Sequence, residues 1–310
     1  MGNSTYLAGK NANVNIKDND GWTSLHYAAA NDDMDLVELL VNGGADINAK
    51  NDENSSPLHL AVQDNHSDVA MYFIENNADV HAKDSDGWTP LHCAATNGYI
   101  DLAKLLVDNG ADVNIQDDDN SSPFHLAIQN DHSDVVLYFI ENNADVNAKD
   151  NEGWNSMHLA AFDSSLDVIE SLVVRGADIN TTNSYGDTPL HLAAWAGNDD
   201  IIEYLIDVGS DVNATNHQGI APLHYTIENC ELKAVRYLVD KGADVNIKDN
   251  DNWTAIHWAA SSDKLDVIKY LVEEKEIDLS LEVLDIATEN GSLNVSQYLM
   301  EKLCVVESAY

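Results

Sequence analysis

Residues 89–96 read Thr89-Pro90-Leu91-His92-Cys93-Ala94-Ala95-Thr96, and this stretch decides the fold. The Thr89 hydroxyl is placed to cap a helix, and Pro90 at the first helical position gives up an N–H that has no partner there. Ala94 and Ala95 keep one face small enough for a second helix to approach closely. The stretch recurs as Thr188-Pro189-Leu190-His191, and Ser56-Pro57 and Ser122-Pro123 repeat its start. His26, His59, His92, His125, His158, His191, His224 and His257 stand 33 residues apart. All five prolines fall two residues before one of these histidines, and alanine follows two residues after most of them.

Working outward, the segment after each of these starts has helical apolar spacing, as in Leu102, Leu105, Leu106 and in Val267, Ile268, Leu271. It stops at Gly110, Gly176 or Gly242, residues suited to a left-handed turn, with Asn77 and Asn143 in that place in two units. Each unit closes on a segment such as Gly242-Ala243-Asp244-Val245-Asn246. With eight units in register, Thr89-Pro90-Leu91-His92 resembles the signature of the ankyrin-repeat family, from about residue 11 to about residue 303. The resemblance implies an all-α solenoid, two antiparallel helices and a β-turn finger per repeat, with the histidine tying its helix to neighbouring turns.

The expected organisation is a single repeat domain over 1–310. It has a partial repeat at 5–17, repeats at 18–50, 51–83, 84–116, 117–149, 150–182, 183–215, 216–248 and 249–276, a degenerate cap at 277–303 and a tail at 304–310. In the cap, Leu284 to Asn290 reads as a shortened first helix with Asp285 in the histidine slot. A second period overlies the first: Trp22, Trp88 and Trp154 are 66 residues apart, and the unit from Asn51 matches the one from Asp117 at 24 of 33 positions. Copying of a two-repeat block explains that likeness without reference to function.

Fifty-four acidic residues against 15 basic ones give a formal net charge of -39, with Arg175 and Arg236 as the two arginines. Such a surface repels phosphate backbones and anionic membranes, so neither nucleic acid nor membrane is an expected partner. Acidity either steers a basic or mixed-charge partner or keeps a long surface soluble. Cys93, Cys230 and Cys304 have neither metal-ligand nor disulfide-framework spacing. Without a membrane span or signal core in the sequence, the expectation is a monomer in cytosol or nucleus.

Catalytic signatures are missing: there is no phosphate loop, serine elbow or HExxH. Turns such as Asp18-Asn19-Asp20-Gly21 resemble calcium loops, but Ile16 and Tyr27 occupy places that need acidic ligands. A histidine ladder makes a row, whereas metal ligands must converge. Cys93 and Cys230 near ladder histidines suggest a nucleophilic pair only incidentally. No cofactor or metal is expected.

Candidate binding residues are aromatics on surfaces that ankyrin-like proteins use for partners. Trp22, Trp88, Trp154 and Trp253 follow the turn glycine or its equivalent, Tyr185 sits on a fingertip, and Phe162 and Trp195 lie near first-helix ends. Trp154, Phe162, Tyr185 and Trp195 are expected to cluster, with acidic fingertips such as Asp118 and Asp119 as a rim. The alternative is that each ring packs on its own repeat. The function this implies is a protein- or peptide-binding scaffold without catalysis. The competing readings are a recognition fragment of a longer signalling protein, toxin or secreted effector of an intracellular bacterium, and an enzyme with a cryptic site.

Overall fold

The computed structural model describes residues 13–163 and 166–307, with side chains to residue 303, in two compact units, Met1–Asn151 and Glu152–Tyr310. The first unit contains helix pairs α1 (Ser24–Ala30) and α2 (Met34–Asn42), α3 (Pro57–Gln63) and α4 (Ser67–Glu75), α5 (Pro90–Thr96) and α6 (Ile100–Asp108), α7 (Pro123–Gln129) and α8 (Ser133–Glu141). The second contains α9 (Ser156–Asp163) and α10 (Leu166–Val174), α11 (Pro189–Ala196) and α12 (Asp199–Asp207), α13 (Pro222–Asn229) and α14 (Leu232–Asp240), α15 (Ala255–Ser261) and α16 (Leu265–Glu273), α17 (Leu281–Glu289) and α18 (Leu293–Glu307). Among the described residues there are no strands, and within each unit every helix packs on its pair mate and on its counterpart in the next pair. This is the all-α repeat solenoid that the 33-residue period predicts.

The residue before each ladder histidine explains the stacking. Leu25, Leu58, Leu91, Phe124, Met157, Leu190, Leu223 and Ile256 are buried between first helices, and Ala28, Ala61, Ala94, Ala127, Ala160, Ala193 and Ala259 let those helices close on one another. Burying such side chains supplies about 1.5–3 kcal/mol each, and the solenoid repeats that gain at every layer.

The histidines carry the polar half of the joint. In all eight, the N-cap residue donates its backbone N–H to the imidazole Nδ1 at 3.0–3.2 Å. The proton therefore sits on Nε2, which in seven of them donates to a carbonyl. For His26, His59, His92, His158 and His191 that carbonyl is 29 residues on, in the following repeat, at 3.0–3.3 Å. His125 and His224 instead reach Ala148 and Ile247. Imidazole thus stands where glutamate or glutamine usually closes a capping box, and the box is reciprocal at Ser122, Asn155 and Thr188, whose side chains accept the histidine N–H. Because the backbone N–H makes the bond, Ala221 serves in this place without a hydroxyl. At Thr89 the hydroxyl turns to the imidazole, 2.9 Å from Nδ1.

The fingers are joined by asparagine. Asn15, Asn48, Asn114, Asn180 and Asn213 each donate Nδ2 to a carbonyl 29 residues on at 2.9–3.5 Å. Each also accepts, on Oδ1, the backbone N–H 31 residues on at 2.7–2.9 Å. The amide's donor and acceptor match this paired task, which explains asparagine at this position of the finger. Lys17, Lys50 and Lys83 add a row, each Nζ on a carbonyl 33 residues on. The second helices stop as expected: Gly110 has φ +94° with open space around it, so Asn77 and Asn143 fill the same slot at φ +67° and +64°.

The C-terminal end differs from the sequence reading. α17 is not shortened; it has nine residues, capped by Ser280, whose Oγ accepts from Val283 N. Val283, fully buried, takes the histidine slot, while Asp285 is exposed. α18 runs to Glu307, past the expected start of the tail. At the other end, Asn13–Lys17 docks on the next finger as later fingers do, while residues 1–12 lie outside the described part.

Candidate functional site

The second unit contains a cleft of about 320 Å³ lined by Trp154, Phe162, Asp187, Leu192, Trp195 and Tyr225. Three successive repeats build it. Trp154 and Asp187 come from turns preceding first helices, Phe162 from the end of α9, Leu192 and Trp195 from one face of α11, and Tyr225 from the first turn of α13. Phe162 and Trp195 stack with centroids 5.0 Å apart and planes 19° from parallel. Trp154 meets Phe162 edge-on, 6.0 Å away at 82°. Tyr225 continues the row to Trp258, 6.2 Å away, and Trp258 stacks on His224. Trp195 is 51 % exposed, a large apolar surface left in water.

Three of the four expected cluster members therefore meet. Tyr185 does not join them: it is 57 % exposed on its fingertip, where its carbonyl accepts from His217 N. Tyr225, Leu192 and Asp187 belong to the cleft and were not expected. Leu192 and Tyr225 each follow a ladder histidine directly, and Trp195 stands three residues after Leu192, the spacing that puts two side chains on one helix face.

The other candidates are not among the residues that line this cleft. Trp22 packs on Tyr27, centroids 4.9 Å apart, beside a second, more polar cleft of about 420 Å³ with Asp20, Asn51, Asp52 and Glu53. There the Tyr27 hydroxyl donates to Asp18 at 2.6 Å, which lowers the Asp18 carboxyl and raises the tyrosine. Trp88 stacks on its own His92, and Trp253 is half-buried beside Asp249, whose Oδ1 accepts its backbone N–H. The Trp88 side chain also hydrogen-bonds Asp117 of the following repeat. Asp118 and Asp119 are exposed at a fingertip of the first unit.

The fingertip acids that resemble calcium loops have another task. Asp18, Asp84, Asp117 and Asp249 each accept the backbone N–H groups two and four residues on through one carboxylate oxygen, closing the turn. Asn51, Asn183 and Asn216 do the same with an amide oxygen, so charge is not what the position requires. Among the described residues no three His, Cys, Asp or Glu side chains converge as a metal site.

Nor are the two described cysteines, Cys93 and Cys230, placed as nucleophiles. Cys93 is buried in α5, while Cys230 lies just past the end of α13 and not within a first helix, its thiol directed at the Ala194 carbonyl, 3.7 Å away. Burial, aided by Asp84 beside one and Asp199 beside the other, pushes both thiols up to about 12. In a Cys304→Ser background, iodoacetamide at pH 8 should alkylate the folded protein about a thousandfold more slowly than the urea-unfolded chain, following the thiolate fractions. Rates within tenfold of each other would mean an accessible, activated thiol.

A family model described as ankyrin repeats in three copies matches overlapping segments at residues 4–51, 29–117, 74–150, 109–183, 157–249, 190–282 and 248–308. The chain belongs to the ankyrin-repeat family. No curated protein matches it. Ankyrin repeats are in general protein–protein interaction modules, and members of the family are typically binding scaffolds without catalysis. Among the described residues no helix is long and apolar enough to cross a membrane. For an ankyrin-repeat chain, the side chains that break the period on exposed faces are the informative ones, and the cleft around Trp195 gathers more of them than any fingertip described above.

Proposed function

We propose that this ankyrin-repeat chain is a protein-binding scaffold that docks a protein or peptide with a basic or mixed-charge surface on the cleft of its second unit. The observation that carries the reading is Trp195, half exposed and stacked on Phe162 in a cleft closed by Trp154 and Tyr225. Rigid aromatic anchors in a desolvated pocket dominate protein interfaces, and the charge of -39 favours encounter with a cationic partner. No role is assigned to catalysis: the polar groups of the histidine ladder and the acidic turns are spent on the backbone.

The test is affinity capture followed by mass spectrometry, with the native chain and Trp195→Ala compared at equal concentration. A partner that docks on the cleft should lose about thirtyfold or more in affinity, the cost of removing one aromatic hot spot. Equal capture by both proteins would place docking on another face and sink the cleft reading. The substitution removes a largely exposed ring, so circular dichroism should show an unchanged fold.

A further inference from the structure

We propose that the cleft of the second unit takes an arginine side chain of the partner, stacked on Trp195 and hydrogen-bonded to Asp187. This rests on the reading that the partner docks here and adds the chemistry of its anchor.

The cleft combines aromatic faces with a carboxylate. Trp195 offers an exposed ring face backed by Phe162, and Asp187 lies on the same lining. Asp187 Oδ1 accepts from Asn216 Nδ2 at 2.7 Å, while Oδ2 has no protein donor among the described residues. Among the described residues no lysine or arginine forms an ion pair with Asp187. Tyr225, at the other wall, has its phenol raised by burial and by the charges of Asp187 and Glu228, the sign of a negative pocket. A cation entering here gains both a ring face and an uncompensated carboxylate.

The same chain shows which cation satisfies both at once. Arg236 Cζ lies 4.2 Å from the Tyr270 ring centroid, and its two terminal nitrogens donate to the two carboxylate oxygens of Glu274. A guanidinium is planar: it stacks through its face and donates through its edge. An ammonium has no such division, so contact with the ring competes with contact with the acid. The cleft around Trp195 has the ring and the acid of that arrangement and lacks the guanidinium. Its volume of about 320 Å³ leaves room for one long side chain.

Fluorescein-labelled hexa-arginine and hexa-lysine carry equal charge, so steering by the acidic surface is common to both. Fluorescence polarisation at 0.15 M salt would compare them on the full chain, Trp195→Ala and Asp187→Asn. The native chain should hold hexa-arginine about tenfold tighter. Each variant should bring the two peptides within about threefold while keeping the charge-driven binding they share. Equal affinities on the native chain would overturn the proposal, and so would an arginine advantage that survives both substitutions. If the captured partner depends on Trp195 while the two peptides bind alike, the anchor is apolar: the arginine assignment fails and the docking site stands. If the peptides discriminate as expected but partner capture ignores Trp195, the cleft binds arginine and the docking assignment falls.

Discussion

Between pH 7.5 and pH 5 the protein should lose several kcal/mol of stability, even though acidification relieves the mutual repulsion of its carboxylates. The cause is the histidine ladder. Each imidazole faces the backbone N–H of its N-cap with Nδ1, so a proton added there would confront a donor and break the cap. Burial reinforces this, and the imidazoles of His26, His59, His125, His191, His224 and His257 are pushed below the ordinary value, His92 to about 4. Above pH 6.5 the folded and unfolded chains are both neutral at these sites, and their full contribution is present. Below it the unfolded chain takes up protons that the folded chain refuses, so stability falls with pH until the folded imidazoles titrate. For His92 alone the loss at pH 5 is about 2 kcal/mol. The ordinary carboxyl value of about 4 lies below this window, which is therefore weighted to the histidines. Urea melts followed by circular dichroism at pH 7.5, 6 and 5 test this; a midpoint that stays level or rises would refute the ladder's role.

Removing one histidine from the middle of a unit should cost about 3 kcal/mol, and removing the last one about 1 kcal/mol. His191 is fully buried and satisfies three groups: Thr188 N at 3.1 Å, the Thr188 hydroxyl at 2.8 Å and the Ile220 carbonyl at 3.0 Å. His191→Leu leaves Thr188 N without a partner where water cannot reach, at about 1–3 kcal/mol. It also takes one bond each from the Ile220 carbonyl, which keeps Asn216 N, and the Thr188 hydroxyl, which keeps the backbone N–H of residue 191. His257 makes the same bonds to Thr254 but is half-exposed, beneath the segment that departs from the repeat. Water can replace the imidazole in His257→Leu. Equal losses in urea melts of the two variants would show that burial of the inter-repeat bond is not what the ladder contributes.

Much of this was legible because the period does the placing. Once His158 and His191 occupy equivalent slots, Phe162 and Trp195 must occupy equivalent positions one repeat apart, and Trp154 must precede them. What the period could not place were departures at the level of one side chain. Tyr185 and Trp154 both leave the same kind of turn, but which way a fingertip ring points is decided by local packing, and Tyr185 points away. Asp187 is a single unremarkable acid in a very acidic chain until the fold sets it beside aromatics. Tyr225 follows its histidine as Cys93 and Leu192 follow theirs, and its larger ring is what extends the row. At the C-terminal end the expectation of Asp285 in the histidine slot assumed that the register carries over, whereas burial selected Val283. The paired bonds of Asn48 and Asn114 show a mechanical requirement for asparagine at that finger position, which the sequence reading did not find.

The joints between fingers have a consequence for how such a chain can lengthen. Asn15, Asn48, Asn114, Asn180 and Asn213 all grip the backbone at the same two offsets, and nearly all of what they grip is main chain. A joint that reads backbone does not ask which side chains its neighbour carries. A copied block can therefore be spliced between any two layers and find its sockets already cut, upstream and downstream. Surface residues, Trp195 among them, are then free to drift from copy to copy, because the masonry beneath them never depended on their identity.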